Sequence, residues 1–262
     1  NEMWTGTGMI TVPRGDYASP VITLPKIGNR QAYEVRGLPV DFHMDSLGPV
    51  RHELTFDVTA SGIVFAVKVA MPHQSFIELM ANAGGDIEHA QRLRVIDFVE
   101  QFRTAYCRKD LPFLESVYSD DALIITGRVL NHVAGTAKDH MNIGGKVKYT
   151  RQTKQQYLTN LKRCFRNNKW IKVDFDDVEV VQDLRYDFIY GVTLKQHWKS
   201  TGYEDEGWLF LIMDMRNLER PQIYVRTWQP YKDNGNNGYS PDDVIIARDE
   251  VVELDQGRIE IL

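Results

Sequence analysis

The sequence lacks the long apolar runs that cross a bilayer: none approaches the roughly 18 residues that a membrane-spanning helix needs. It also lacks an excess of basic residues, since 31 Lys and Arg stand against 36 Asp and Glu and the net charge is -5. A nucleic-acid-binding surface requires Lys and Arg clustered on one face. The one concentrated basic run, KVKYTRQTK at residues 146–154, precedes a helix-like segment, and we interpret it as solvated. The sequence therefore predicts neither a transmembrane segment nor a nucleic-acid partner.

Cysteine is scarce. Cys107 and Cys164 both fall in helix-like segments, and two cysteines cannot supply a disulfide framework for 262 residues. We predict two separate, half-buried thiols. The seven histidines are scattered without the spacing of a zinc site, and the sequence has no phosphate-binding glycine loop, GxSxG elbow or Cys/His nucleophile pair. We therefore predict no metal and no cofactor.

The first residue is Asn1 rather than an initiator Met. The chain has therefore been processed or is an excerpt, and a removed export signal would place the protein in the periplasm, in the cell envelope or outside the cell. A cytoplasmic location and a fragment of a longer precursor are the alternatives that the sequence leaves open.

Short alternating apolar runs, broken by Pro and Gly, dominate the first third of the chain. In HELTFDVTASGIVFAVKV, residues 52–69, apolar residues alternate on both sides of an Ala-Ser-Gly turn, which predicts a β-hairpin. The pattern changes at the Gly-Gly-Asp sequence of residues 84–86, and from His89 apolar residues recur with a helical period. We predict a β-rich N-terminal domain over residues 1–86 and a second domain over residues 87–262.

The second domain is predicted to be α+β. A long helix from His89 is followed by a short helix, a strand, a third helix and four strand-like runs. Thr153 and Gln156 have the spacing of a capping box at the start of the third helix. This order predicts three helices enclosed by one curved antiparallel sheet.

One stretch of this domain resembles a known superfamily. FRTAYCRKDLPFLESVYSDDALIITG, residues 102–127, is similar to the opening of NTF2-like (nuclear-transport-factor-2-like), or SnoaL-like, domains. The resemblance covers about residues 91–230 and implies a cone-shaped fold, but this superfamily contains several kinds of enzyme as well as binding modules. The whole chain also resembles bacterial two-domain proteins with a β N-terminal segment, for which export is expected.

Asp120 and Asp121, which are adjacent in this stretch, are either paired catalytic carboxylates or part of the turn that leads into the first strand. We favour the turn, because adjacent side chains diverge and because Asp bonds readily to local backbone. The ketosteroid-isomerase branch of the superfamily requires a Tyr at the position of Phe102 and an Asp at the position of Thr126. Since neither side chain can replace the missing group, that chemistry is not expected.

Candidate ligand-binding residues come from polar and aromatic side chains within the apolar strands. Asp214 interrupts the run GWLFLIMDMRN, and Arg226 interrupts the next strand. We predict that the two form a partly buried ion pair, the alternative being that Asp214 only marks a strand end. Gln196 shares an alternating face with Tyr190 and Trp198, either as a pocket group or as a satisfied core amide.

The remaining candidates are aromatic or histidine side chains. Tyr118 and Trp228 either line a cavity or belong to the ordinary core, the second being commoner at these spacings. An enzymatic alternative uses His132 or His140, in the loop after the first strand, together with Asp214 as acid and base.

Two functions from different classes follow from these residues. We favour a non-catalytic protein that binds a small hydrophobic or polar ligand, or a partner, in the cone. The alternative is a SnoaL-like isomerase, hydrolase or cyclase that acts on a small hydrophobic substrate. The apolar Leu209, Leu211 and Met213 further suggest a sheet face covered either by the N-terminal domain or by a second copy in a homodimer.

Overall fold

A computed structural model describes residues 9–13, 22–26, 31–44, 48–81, 89–130, 146–183, 185–230, 251–255 and 258–261. Its N-terminal part is a five-stranded sheet in which β1 and β2 both pair with β3, β3 pairs with β4, and β4 with β5. The turn between β4 and β5 is the predicted one, with Gly62 at φ 84°. A helix, α1, follows this sheet although only strands were predicted here. The bounds are β1 Met9–Thr11, β2 Ile22–Pro25, β3 Ala32–Met44, β4 Gly48–Thr59, β5 Val64–Val69 and α1 His73–Ala81.

Three helices and a six-stranded sheet follow, in the predicted α+β order of elements, and we call the described residues from 89 to 230 the cone. The strand order is β7-β6-β11-β10-β9-β8, and every neighbouring pair is antiparallel except β6 and β11, which are parallel. A last pair, β12 and β13, forms a separate two-stranded sheet. The bounds are α2 His89–Arg108, α3 Leu111–Val117, β6 Tyr118–Leu130, β7 Lys146–Gln152, α4 Lys154–Asn167, β8 Ile171–Gln182, β9 Ile189–Ser200, β10 Tyr203–Asp214, β11 Gln222–Pro230, β12 Val251–Asp255 and β13 Arg258–Ile261.

Local sequence signals set the helix ends of the cone. Asp110 caps α3 by accepting a hydrogen bond from the Phe113 amide, and a proline occupies its first turn, where a missing N–H group is harmless. The capping box of Thr153 and Gln156 is present at the start of α4, as predicted. Most of the basic run at residues 146–154 forms the edge strand β7, which pairs with β6 and directly precedes α4.

The helices cover the concave face of the large sheet. β10 lies between β9 and β11 and is buried on both faces, as its apolar sequence predicts. Leu209, Leu211 and Met213 have no exposed surface and belong to the core beneath the helices. They are therefore not a face for a partner, and a homodimer through the sheet stays a prediction without this support.

The Asp120–Asp121 pair lies inside strand β6 rather than in a turn before it. The pairing of β6 with β11 is irregular between Tyr118 and Leu123, so that the two aspartates occupy a bulge. Both side chains are exposed, and Asp120 forms an ion pair of 2.8 Å with Lys154. They face solvent, and the catalytic interpretation has no support.

We predict that the double substitution Asp120→Asn with Asp121→Asn leaves the denaturation midpoint unchanged within error. The Asp120 side chain is 92% exposed, and ion pairs in water contribute little to stability. Urea unfolding followed by circular dichroism tests this. A clear shift of the midpoint would show that the bulge depends on these carboxylates.

A buried ion cluster joins the N-terminal sheet to α2. Its central residue is Arg36 of β3, whose guanidinium donates to Glu34 of the same strand and to both carboxylate oxygens of Glu100 on α2. Lys68 of β5 contacts Glu34 and Asp97, the latter also on α2. Three cations and four carboxylates take part: Lys26, Arg36, Lys68, Glu34, Asp57, Asp97 and Glu100.

Arg103 makes a second connection between the two parts. Its Nη1 donates to the carbonyl of Ala70, beyond β5, and its Nε donates to the carbonyl of Val173 on β8. The third donor group binds Asp174. Because Val173 lies on an edge strand, this contact and the nearby Cys107 thiol also protect that edge from further pairing. The predicted domain boundary at residue 86 falls outside the described residues, and the division into domains stays a prediction.

Candidate functional site

The concave face of the cone holds most of the predicted ligand-binding residues. Alternation along β9 places Tyr190, Gln196 and Trp198 on this face, as predicted, and the β10–β11 register places Arg226 and Trp228 on it. Tyr118, the first residue of β6, contributes its side chain to the same interior. These residues do not all contact one another. At one end of the interior, the Tyr190 hydroxyl hydrogen-bonds to Gln91 and to the Asp187 carbonyl.

Three buried tyrosines form the centre of this interior. The Tyr106 hydroxyl lies 3.0 Å from that of Tyr118 and 2.6 Å from that of Tyr157. Burial raises the pKa of Tyr106 and Tyr118 well above the usual range, so both phenols are neutral at physiological pH. Tyr106 and Tyr157 were not among the candidate residues singled out from the sequence. The overlooked signal is that a buried tyrosine hydroxyl needs a hydrogen-bond partner.

Arg226 lies against this tyrosine cluster. Its guanidinium carbon is 5.1 Å from the ring centre of Tyr157, and the residue is only 6% exposed. Among the described residues, its Nε and Nη1 atoms have no acceptor and no carboxylate lies within ion-pair distance, but the guanidinium does hydrogen-bond to the Tyr106 hydroxyl. Burial opposes its charge, but the phenols of Tyr157, Tyr106 and Tyr118 outweigh burial and raise the pKa of Arg226.

The predicted ion pair between Asp214 and Arg226 is wrong. Arg226 lies opposite Leu211 in the β10–β11 register, and Asp214 lies opposite Gln222. Leu211 and Asp214 are three positions apart on one strand, so their side chains point to opposite faces of the sheet. Asp214 is a strand end, as the alternative held, and binds the guanidinium of Arg216.

A cavity of about 690 Å³ lies between the N-terminal sheet and the ends of β8, β9 and β10. Trp198 and Asp205 line it, and Trp198 also borders the tyrosine cluster, with its ring centre 5.9 Å from that of Tyr106. One carboxylate oxygen of Asp205 accepts from the Tyr203 hydroxyl, and the other is buried without a described partner. Burial raises the pKa of Asp205, an effect that the charge of Arg226 partly offsets.

The charged groups at the rim of this cavity are paired with each other. His52 is 3.6 Å from Asp174, and burial lowers its pKa to about 4, which keeps the imidazole neutral at pH 7. His197 lies between Asp176 at 3.3 Å and Glu206 at 3.5 Å. Both histidines are therefore held against neighbouring carboxylates, as a structural role requires.

A larger cavity, of about 1390 Å³, lies between β2, α2, α3 and the β10–β11 loop. Apolar side chains such as Phe98 and Phe113 line it together with Asp97, whose carboxylate is already bound by Lys68 of the ion cluster. Arg94, which also lines this cavity, has one buried nitrogen, Nε, without a described acceptor, whereas in the cone interior Arg226 has two such nitrogens and Trp228 one. We therefore take the cone interior, centred on Arg226, as the candidate site.

Other predictions about chemistry have mixed outcomes. Cys107 and Cys164 are free, half-buried thiols, as predicted, and burial raises the pKa of both. His132 and His140 lie outside the described residues. Within the described part of the chain, no group of three or more His, Cys, Asp or Glu side chains is arranged to bind a metal, and no helix is long and apolar enough to span a membrane.

No protein-family model and no curated protein matches the chain. Among solved structures, an NTF2-like protein from Cytophaga hutchinsonii is 13% identical, with a TM-score of 0.35, over 53% of this chain and 98% of its own. A protein of the NTF2-like family from Streptomyces avermitilis is 14% identical, with a TM-score of 0.38, over 53% of this chain and 95% of its own. Bd1075 of Bdellovibrio bacteriovorus is 13% identical, with a TM-score of 0.42, over 81% of this chain and 93% of its own. At such identities and scores, no activity is transferred to this protein.

Proposed function

We propose that this is a non-catalytic binding protein whose cone interior holds a small ligand with an anionic group, such as a carboxylate. The observation that carries the proposal is Arg226. Its charge is buried, and two of its nitrogens have no acceptor among the described residues. Burying a charge costs several kcal/mol unless it is paired and all of its donors are hydrogen-bonded. A ligand anion beside Arg226 would offset that cost.

The surrounding groups suit such a ligand. A guanidinium presents two parallel N–H donors to a carboxylate. The indole Nε1 of Trp228, on the same face, is also buried without a described acceptor. The rings of Tyr118 and Tyr157 belong to the apolar core around Arg226, where the body of the ligand would pack. Small-molecule sites typically combine a mainly apolar lining with a few directed polar groups.

The same geometry favours binding over acid–base catalysis. The Tyr106 and Tyr118 phenols have raised pKa values and bond to each other, so neither is a base near neutral pH. Phe102 occupies the position where the isomerase branch has a tyrosine, and it is completely buried. Asp214, the predicted acid or base, lies on the other face of the sheet.

The test compares the full-length wild type with Arg226→Met, using sodium benzoate and sodium decanoate as probes at constant ionic strength. We expect at least one probe to raise the thermal midpoint of the wild type and neither to raise that of Arg226→Met. Arg216→Met, which removes an arginine from the opposite face, serves as the matched control and should keep the wild-type response.

The ligand-free variants supply an independent measurement. If Arg226 is reserved for a ligand, Arg226→Met should be at least as stable to urea as the wild type, because an unpaired buried charge is replaced by an apolar chain of similar length. A loss of more than about 2 kcal/mol, together with no response of the wild type to either probe, would show that Arg226 has a structural role and would refute the proposal.

A further inference from the structure

The turn between β4 and β5 carries a compact apolar surface. Ile63, Val64 and Phe65 are consecutive, and they are 62%, 49% and 52% exposed. Tyr33 on the neighbouring strand β3 is 41% exposed and belongs to the same surface, because it lies opposite Val58, which in turn lies opposite Val64. We call residues 59–65 together with Tyr33 the hairpin tip.

The distribution of apolar residues at the hairpin tip identifies the kind of surface that it fits. Successive side chains of a strand point to opposite faces, so a strand that docks on a protein surface exposes apolar residues at every second position. Here three successive apolar side chains are exposed, on both faces. Apolar side chains are therefore exposed on both faces of the tip, beside the small polar residues Thr59 and Ser61, which matches immersion in an apolar medium better than contact along one face.

The polar groups of the hairpin tip are mostly satisfied internally. The amide of Thr59 donates to the Ile63 carbonyl, and the amide of Gly62 donates to the Thr59 carbonyl, both at 2.9 Å. The Ile63 amide donates to the Thr59 hydroxyl at 3.0 Å, and the Ala60 amide donates to the Gln31 carbonyl at 2.7 Å. Internal bonding of backbone groups is what an environment without water requires.

Charge is absent from the same stretch. VTASGIVFAV, residues 58–67, contains no charged side chain. The charged residues that flank it, Asp57 and Lys68, are both buried in the ion cluster, where they contact each other at 3.4 Å. Inserting the hairpin tip into lipid would therefore desolvate no unpaired charge, and no basic side chain within it would require an anionic headgroup.

We propose that the hairpin tip anchors the protein peripherally to a lipid bilayer. Ile63, Val64 and Phe65 insert among the acyl chains, and Tyr33 lies at the level of the headgroups, where amphipathic rings are favoured. The anchor acts through burial of apolar surface, so neutral lipid is sufficient and salt does not release it. The partner is a membrane surface rather than a protein.

Flotation of the full 262-residue chain with phosphatidylcholine vesicles tests this, in 0.1 M and in 0.5 M sodium chloride. We expect the wild type to float equally at both salt concentrations. The double variant Ile63→Ser with Phe65→Ser should lose roughly tenfold in partition coefficient for each side chain, about a hundredfold in total. Val181→Ser with Leu218→Ser removes two exposed apolar residues elsewhere and should float like the wild type.

Three results would overturn the proposal. The first is a wild type that stays with the unbound protein. The second is flotation that requires anionic lipid and disappears at high salt, since that would place binding on basic residues elsewhere. The third is a wild type that light scattering shows to be a dimer without lipid while the Ile63→Ser, Phe65→Ser variant is a monomer, because the tip would then be a contact between two copies. Urea midpoints of the variants confirm that the exposed substitutions leave the fold intact.

Discussion

Replacing Arg36 with Met should lower the free energy of unfolding by about 3–5 kcal/mol, the range for breaking a buried ion pair from one side. The Arg36 side chain is 3% exposed and that of its partner Glu100 is 2% exposed. With Arg36 removed, four carboxylates of the cluster would face only the two lysines, Lys26 and Lys68. Glu100 would keep the Met71 amide as a donor but lose both of its contacts with the guanidinium.

Urea unfolding of Arg36→Met beside Arg51→Met measures this effect. Arg51 is the matched control, because it also pairs with a carboxylate, Asp41, but its side chain is 65% exposed. An exposed pair of this kind is worth at most about 1 kcal/mol. Adding Glu100→Gln to Arg36→Met should recover part of the loss, since it removes an uncompensated buried charge. Equal effects of the Arg36 and Arg51 substitutions would mean that the cluster is hydrated in solution.

Replacing Gly207 with Ala should destabilise the cone by about 3 kcal/mol or more, at the upper end of the range for overpacked cores. A β-carbon at Gly207 would lie 2.2 Å from the carbonyl oxygen of Gln229 and 2.7 Å from the indole ring of Trp228. The carbonyl belongs to the backbone of the neighbouring strand β11, so it cannot move aside without loss of β10–β11 pairing.

Gly191→Ala is the control for that experiment. A β-carbon there would lie 3.0 Å from a methyl group of Val181, whose side chain is 46% exposed and can rotate away. We expect a clearly smaller loss of urea stability than for Gly207→Ala. If Gly207→Ala unfolds at the wild-type midpoint, β10 and β11 are further apart at this point than described.

The cone was largely predictable because its elements are regular. The helical period of apolar residues from His89 predicts α2. On a strand that is covered on one side, alternating apolar residues identify its two faces. Strand β7 was missed for the opposite reason. It is an edge strand in which basic and apolar residues alternate, and such a run has the same composition as a solvated loop. Helix α1 was missed because its nine residues follow a long series of strands.

At the candidate site, the sequence predicts which residues share a face of one strand but not which residues of two strands lie opposite each other. Alternation alone placed Tyr190, Gln196 and Trp198 on one face, because that inference needs only a single strand. To predict whether Asp214 and Arg226 pair, the register between two strands must be known, and the short connecting loop does not determine that register. The β10–β11 register also shifts between Ile212 and Met213, an irregularity that no local pattern indicated.

The hydrogen bonds of Arg103 to two parts of the chain affect which truncated forms of the protein can fold. One side chain on α2 holds the Ala70 carbonyl in the N-terminal part and the Val173 carbonyl in the cone, and the same helix supplies two carboxylates to the ion cluster. A gene fragment that begins at α2 would encode a cone with acidic side chains that have lost their cations and an arginine with one of its acceptors missing. We therefore expect a chain that begins at α2 to be less stable than the full chain.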